Sequence, residues 1–212
     1  MHIYAFGSVC RGDVSLGSDV DVLAVVEGFD ARFSPDSYSI YSYRRIREIW
    51  KEGNPFAWHL SREAKLLFAS DETDFLRSLG SPEAYRNCAA DCEKFHALFR
   101  DATASTTNHS TTRVFDLSTI FLSIRNIATC FSLGVLPLPD FSRHSALHLG
   151  EYSLTISRKP YEVLERSRIL STRGYGENVM PEEVEIACAE FPRVGEWMSR
   201  LIAEAERHAA RI

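Results

Sequence analysis

Two aspartates inside an otherwise apolar run constrain this chain more than any other feature. The stretch Tyr4 to Gly28 reads YAFGSVCRGDVSLGSDVDVLAVVEG, with Asp19 and Asp21 set among Val20, Val22, Leu23, Ala24, Val25 and Val26. Such a near-continuous apolar run predicts a buried strand. Residues two apart on a strand share a face, so the two carboxylates project together from origins ~7 Å apart. Burying like charges side by side is costly unless a cation or hydrogen bonds compensate. A hard divalent cation, Mg²⁺ or Mn²⁺, suits such a pair, because Mg²⁺ takes one or two protein carboxylates and completes its shell with water and substrate phosphate. Upstream, HIYAF predicts a short strand that ends in Gly7-Ser8. Glycine there lets the backbone approach a triphosphate closely, and the serine hydroxyl and N–H can donate to phosphate oxygens.

The text FGS, then ten residues from Val9 to Ser18, then DVD resembles the signature of the DNA polymerase beta-type nucleotidyltransferase superfamily. It is closest in form to the minimal nucleotidyltransferases, and Arg11-Gly12 and Ser18 match the loop of that pattern. SREAKLLFA resembles the closing strand of the same domain, so the likeness spans about residues 1–70. The resemblance implies transfer of a nucleoside monophosphate from a triphosphate, ATP in the first instance, to an acceptor, with release of pyrophosphate. It assigns catalysis and metal binding to Asp19 and Asp21, and nucleotide binding to Gly7, Ser8, Arg11 and Ser18. A small molecule, a protein or a tRNA end all suit as acceptor.

The sequence departs from that family in one consequential way. Members usually carry a third carboxylate on the strand after Asp-x-Asp, where this chain has SYSIYSY, with Ser39 and Tyr41 at the inward positions. Three readings follow: Asp36 reaches in, an acid farther along (Glu83, Asp91, Glu93 or Asp116) substitutes, or the domain is catalytically impaired and acts as a nucleotide-binding or antitoxin-like interaction module. The chain also begins at the Gly-Ser strand, where such domains usually have a preceding helix.

The expected fold class is α+β: a small mixed-sheet nucleotidyltransferase domain over 1–78, then an all-α helical bundle over 79–212. In the first part RRIREIWKEG predicts a helix with Ile46, Ile49 and Trp50 on one face, and FAWHL and AKLLFA predict one or two further strands. Ser81 and Pro82 predict the N-cap and first position of a helix running to about residue 103, followed by a polar connector, ASTTNHSTT. Four more helices follow, the last with Val194, Trp197, Met198, Leu201, Ile202 and Ala205 along one stripe.

In this second part, Leu117 to Leu133 is the most apolar stretch, but at 17 residues with Arg125 at its middle it predicts a buried core helix and no membrane span. FLSIRNIATCFS resembles the HEPN-type helical domains that accompany minimal nucleotidyltransferases. Arg125-Asn126 match the front of their ribonuclease motif, yet Cys-Phe-Ser stands at 130–132 in place of its histidine, which argues against RNA cleavage. Arg125 must then meet an acid such as Asp116, backbone carbonyls or a phosphate. Arg143 and His144 fall in a loop that either touches an acceptor or is simply solvated. Cys88, Cys92 and His96 are spaced i, i+4 and i+8, which spreads three ligands over ~12 Å of helix and favours core packing over a zinc site.

The net charge of −5 argues against a generic polyanion-coating surface. Five cysteines without framework spacing and the lack of a leader-like start fit a cytoplasmic protein, and a homodimer is compatible with the size.

Overall fold

The computed structural model describes residues 1–13, 20–108 and 111–211. Contacts divide the chain into two units, Met1–Arg86 and Asn87–Ile212.

In the first unit the order is β1 (His2–Phe6), α1 (Ser8–Arg11), β2 (Asp21–Val26), β3 (Ser39–Ser42), α2 (Tyr43–Lys51), α3 (Pro55–Glu63), β4 (Lys65–Ala69) and α4 (Phe75–Ser78). The sheet order is β3-β2-β1-β4. β1 is antiparallel to both neighbours, with Phe6 opposite Asp21 and Ala5 opposite Lys65, while β2 and β3 run parallel with Leu23 opposite Ser39. The sheet is mixed, as expected from the sequence. One face carries Tyr4, Phe6, Leu23 and Val25 against Ile46, Ile49 and Trp50 of α2, Ala57 and Leu60 of α3, and Phe75 and Leu76 of α4. The other face carries Ala24 and Val26 under Phe33, with Met1, Ile3 and Tyr38 packed around them. Tyr4 ties strand to helix through its hydroxyl, which accepts from the Leu76 N–H at 3.0 Å and donates to Asp74 Oδ1 at 3.1 Å.

Two expected elements differ. FAWHL, expected as a strand, is the body of α3, because Asn54 caps it by accepting the Phe56 N–H at 2.9 Å and Pro55 occupies the first turn. Those local signals outweigh the β preference of its aromatic residues. The helix expected from Ser81-Pro82 begins only at Cys88. Residues 80–83 are instead tied to α2 and α3: the Trp50 and Trp58 indoles donate to the carbonyls of Gly80 and Glu83, each at 3.0 Å, and the Glu83 N–H returns to the Trp50 carbonyl.

The second unit comprises α5 (Cys88–Asn108), α6 (Arg113–Val135), α7 (Arg158–Arg173), α8 (Pro181–Cys188) and α9 (Phe191–Ala209), with two short 3-10 turns between α6 and α7. α5 runs through the front of the expected polar connector, where the hydroxyls of Thr106 and Thr107, like that of Thr103 just before it, each bond the carbonyl four residues back. α6 is long and apolar enough to cross a membrane by length and composition, yet Leu117, Ile120, Ile124, Ile127 and Phe131 are fully buried within this unit. α9 buries Val194, Trp197, Met198, Leu201 and Ala205 of the expected stripe, and the Trp197 indole donates to the Tyr152 carbonyl at 2.7 Å.

Candidate active site

The antiparallel pairing on both sides of β1 brings several chain segments together where β1 ends. β2 starts there with Asp21 and β4 starts there with Lys65, while Gly7 leads directly into α1. Gly7 has φ 76° and ψ −148°, a conformation open essentially to glycine alone. Its carbonyl accepts from the N–H groups of Cys10 and Arg11, which sets up the single turn of α1. A Cβ at Gly7 would lie closer than 3.0 Å to Asp21 Oδ2 and 3.3 Å from its Cγ. The glycine is thus required twice: by its backbone angles and by the carboxylate pressed against it. Asp21 shares the face of Leu23 and Val25, as the alternation of the strand demands.

Of the sequence candidates, Gly7, Ser8, Arg11 and Asp21 come together here. Ser18 and Asp19 lie outside the described residues. Ser39 and Tyr41 occupy β3, with Tyr41 packed 5.4 Å from the Phe56 ring, so no acid stands on that strand. Asp36 is exposed and accepts from the Ser34 hydroxyl. Glu83 is exposed and Glu93 lies on the surface of α5. Asp116 is buried and held by the hydroxyls of Ser105 and Thr112 at 3.1 and 2.8 Å. Arg125 Nη2 donates to the Phe141 carbonyl at 3.3 Å, one of the carbonyl partners the sequence allowed for it. Cys88 and Cys92 donate to the carbonyls of Cys130 and Ile127, the core role expected of them.

Sequence reasoning missed two residues at the same end of the sheet. Glu63, the last residue of α3, is 2.5 Å from Arg11 Nη1 and 2.8 Å from His59 Nε2 through the same oxygen. Lys65 follows on β4. Burial pushes the Cys10 thiol above its ordinary value, and the charges acting on it are, in falling order, Lys65, Glu63, Arg11 and Asp21. Four charged groups thus act on Cys10, three of them from outside α1. The signal for Glu63 was His59-x-x-x-Glu63, a helical i, i+4 spacing that becomes legible once 55–63 is read as a helix.

The donor set suits a nucleotide and its cation. Asp21 offers a hard carboxylate at the mouth of a turn that a Cβ would fill, and Arg11 Nε is buried with no acceptor among the described residues. Residues 2–79 match the family model for the nucleotidyltransferase domain. The N-terminal unit is a nucleotidyltransferase domain. The helical region that follows this domain lies beyond the match. Comparison of the chain with curated proteins and with solved structures found no significant match.

Proposed function

We propose that the protein is a divalent-metal-dependent nucleotidyltransferase that moves a nucleoside monophosphate from a nucleoside triphosphate, ATP foremost, to an acceptor hydroxyl or phosphate. The observation that carries the reading is Gly7 lodged against the Asp21 carboxylate at the mouth of α1. Asp21, with Asp19, would hold Mg²⁺ or Mn²⁺. Bound there, the cation would supply charge neutralisation and polarisation at the phosphoryl group under attack. The remaining steps belong to the chain. The glycine backbone and Ser8 admit the phosphate tail, and Arg11 offers positive charge to the leaving pyrophosphate. The acceptor oxygen attacks the α-phosphorus as the bond to the β-phosphate oxygen breaks. The acceptor is a small molecule, a protein or a tRNA end, and the protein works in the cytoplasm.

The test is incubation of the protein with each labelled triphosphate and Mg²⁺, followed by a search for label in protein, RNA and small molecules. Asp21→Asn and Asp19→Asn should each abolish labelling while the melting transition is retained. Labelling that survives both substitutions contradicts the assignment. A second reading rests on β3, where Ser39 and Tyr41 stand in place of the usual acid. In that reading the domain binds nucleotide and regulates without turnover. Calorimetry showing ATP–Mg²⁺ binding with no transfer to any acceptor class would favour it.

A further inference from the structure

The arginine of the Gly-Ser loop is not left to solvent. Arg11 closes α1 only four residues after Gly7, and its guanidinium is held by Glu63 at 2.5 Å. The same Glu63 oxygen accepts from His59 at 2.8 Å, one helical turn earlier on α3. The imidazole is fixed in turn by two rings set edge-on, Phe6 at 5.6 Å and Phe56 at 6.4 Å. Phe6 is the cross-strand partner of Asp21. Phe6 thus stands beside His59 on one strand and opposite Asp21 on the next, so the Arg11–Glu63–His59 set lies at the strand position that carries Asp21.

This ion pair also differs in kind from the others described in its unit. Arg11 and Glu63 are 23% and 10% exposed, and His59 is 13% exposed. Arg32, Arg44 and Arg45, the other arginines of this unit with an acid partner among the described residues, are 66%, 89% and 47% exposed. Withdrawing an ion pair from water costs desolvation that its attraction seldom recovers in full, so such a pair is a poor means of joining α1 to α3. Its distinctive yield is a fixed direction for the guanidinium, whose planar fork loses its value when it rotates. Glu63 engages one nitrogen only, and Arg11 Nε is buried with no acceptor among the described residues.

We propose that Glu63 and His59 are positioning residues that hold Arg11 in the orientation in which it grips the triphosphate. The inference rests on the nucleotidyltransferase reading of Gly7, Ser8 and Asp21. It carries a sign that separates it from simple electrostatics. Glu63 is a negative charge beside a site for an anion, so deleting that charge with Arg11 unmoved strengthens triphosphate binding. If Glu63 aims Arg11, deleting the charge weakens binding, and does so only while Arg11 is present.

The experiment is a double-mutant cycle on ATP–Mg²⁺ binding to the full chain, read by titration calorimetry. Glu63→Gln keeps the shape of the side chain. It should weaken ATP roughly 10-fold in the native background and less than about 2-fold in an Arg11→Ala background, a coupling of ordinary size for contacting residues. Unchanged or tighter binding by Glu63→Gln, or equal losses in both backgrounds, overturns the proposal. Thermal melting follows each variant, because a purely structural tie lowers stability without coupling to ligand through Arg11. Should Glu63→Gln fail to fold, His59→Gln retains the Glu63 charge and removes only the imidazole tether; its expected loss is roughly 3-fold and again vanishes with Arg11→Ala. A wild-type chain that binds none of the triphosphates with Mg²⁺ refutes the nucleotidyltransferase reading itself and this inference with it.

Discussion

Gly7→Ala tests the site at its narrowest point, and Gly12→Ala supplies its control. Both glycines have φ 76°. At Gly12, ψ is 14° and a Cβ would meet nothing within 4 Å, so alanine there incurs only the left-handed backbone cost of about 1–2 kcal/mol. At Gly7, ψ is −148°, in the region that only glycine occupies comfortably, which costs about 1–3 kcal/mol before any contact is counted. The added Cβ then falls closer than 3.0 Å to Asp21 Oδ2, and the only group that can yield is the carboxylate itself. If Asp21 holds the cation as proposed, moving it by 1 Å or so is enough to cost on the order of 100-fold in rate. The two variants should therefore have comparable stabilities, within about 2 kcal/mol of each other in urea denaturation. They should differ widely in transfer of labelled nucleotide, with Gly12→Ala near wild type and Gly7→Ala down by roughly 100-fold or more. Gly7→Ala with native activity would refute the reasoning, because it would mean that the Asp21 carboxylate can leave its place without consequence.

Two further predictions concern stability. Gly53, at φ 61°, sits where a Cβ would come closer than 3.0 Å to the carbonyl oxygens of Ala84 and Glu83, so Gly53→Ala should destabilise the first unit by about 3 kcal/mol, measured by urea denaturation. In the second unit, burial pushes Glu165 up, but its bonds from His144 and Arg143 and their charges outweigh this and hold the carboxyl below the ordinary range. A folded-state value below the unfolded one contributes stability that is present above about pH 4.3 and is lost as pH falls through the folded value. Glu165→Gln should lower stability at neutral pH and flatten this acid limb, as read from denaturation midpoints across pH 3 to 7; an identical limb in the variant contradicts the assignment.

What could be read from the sequence was what neighbours in the chain decide. The apolar run around Asp21 forms β2, and Gly7-Ser8 ends β1, because alternation and glycine freedom act within a few residues. The Asn54-Pro55 start of α3 was equally local, yet the aromatic run after it reads as a strand on propensity alone. By contrast, the false start at Ser81-Pro82 was not locally decidable. The indoles that capture Gly80 and Glu83 belong to Trp50 and Trp58, 30 and 25 residues before the carbonyls they bind. Glu63 was hidden for both reasons: its helix was misread, and its partner Arg11 lies 52 residues away across β1.

The arrangement around β1 also bears on the absent acid. β1 stands between β2, which begins at Asp21, and β4, which begins at Lys65. β3, where the family's third carboxylate usually stands, is beyond β2 on the Asp21 side. The Oε2 of Glu63 is already shared by Arg11 and His59. Under the proposed function, Asp21 serves the chemistry and Arg11, held by Glu63, the grip on the triphosphate. Substitutions at Asp21 should abolish transfer at any nucleotide concentration, whereas those at Glu63 should be recovered by raising the triphosphate.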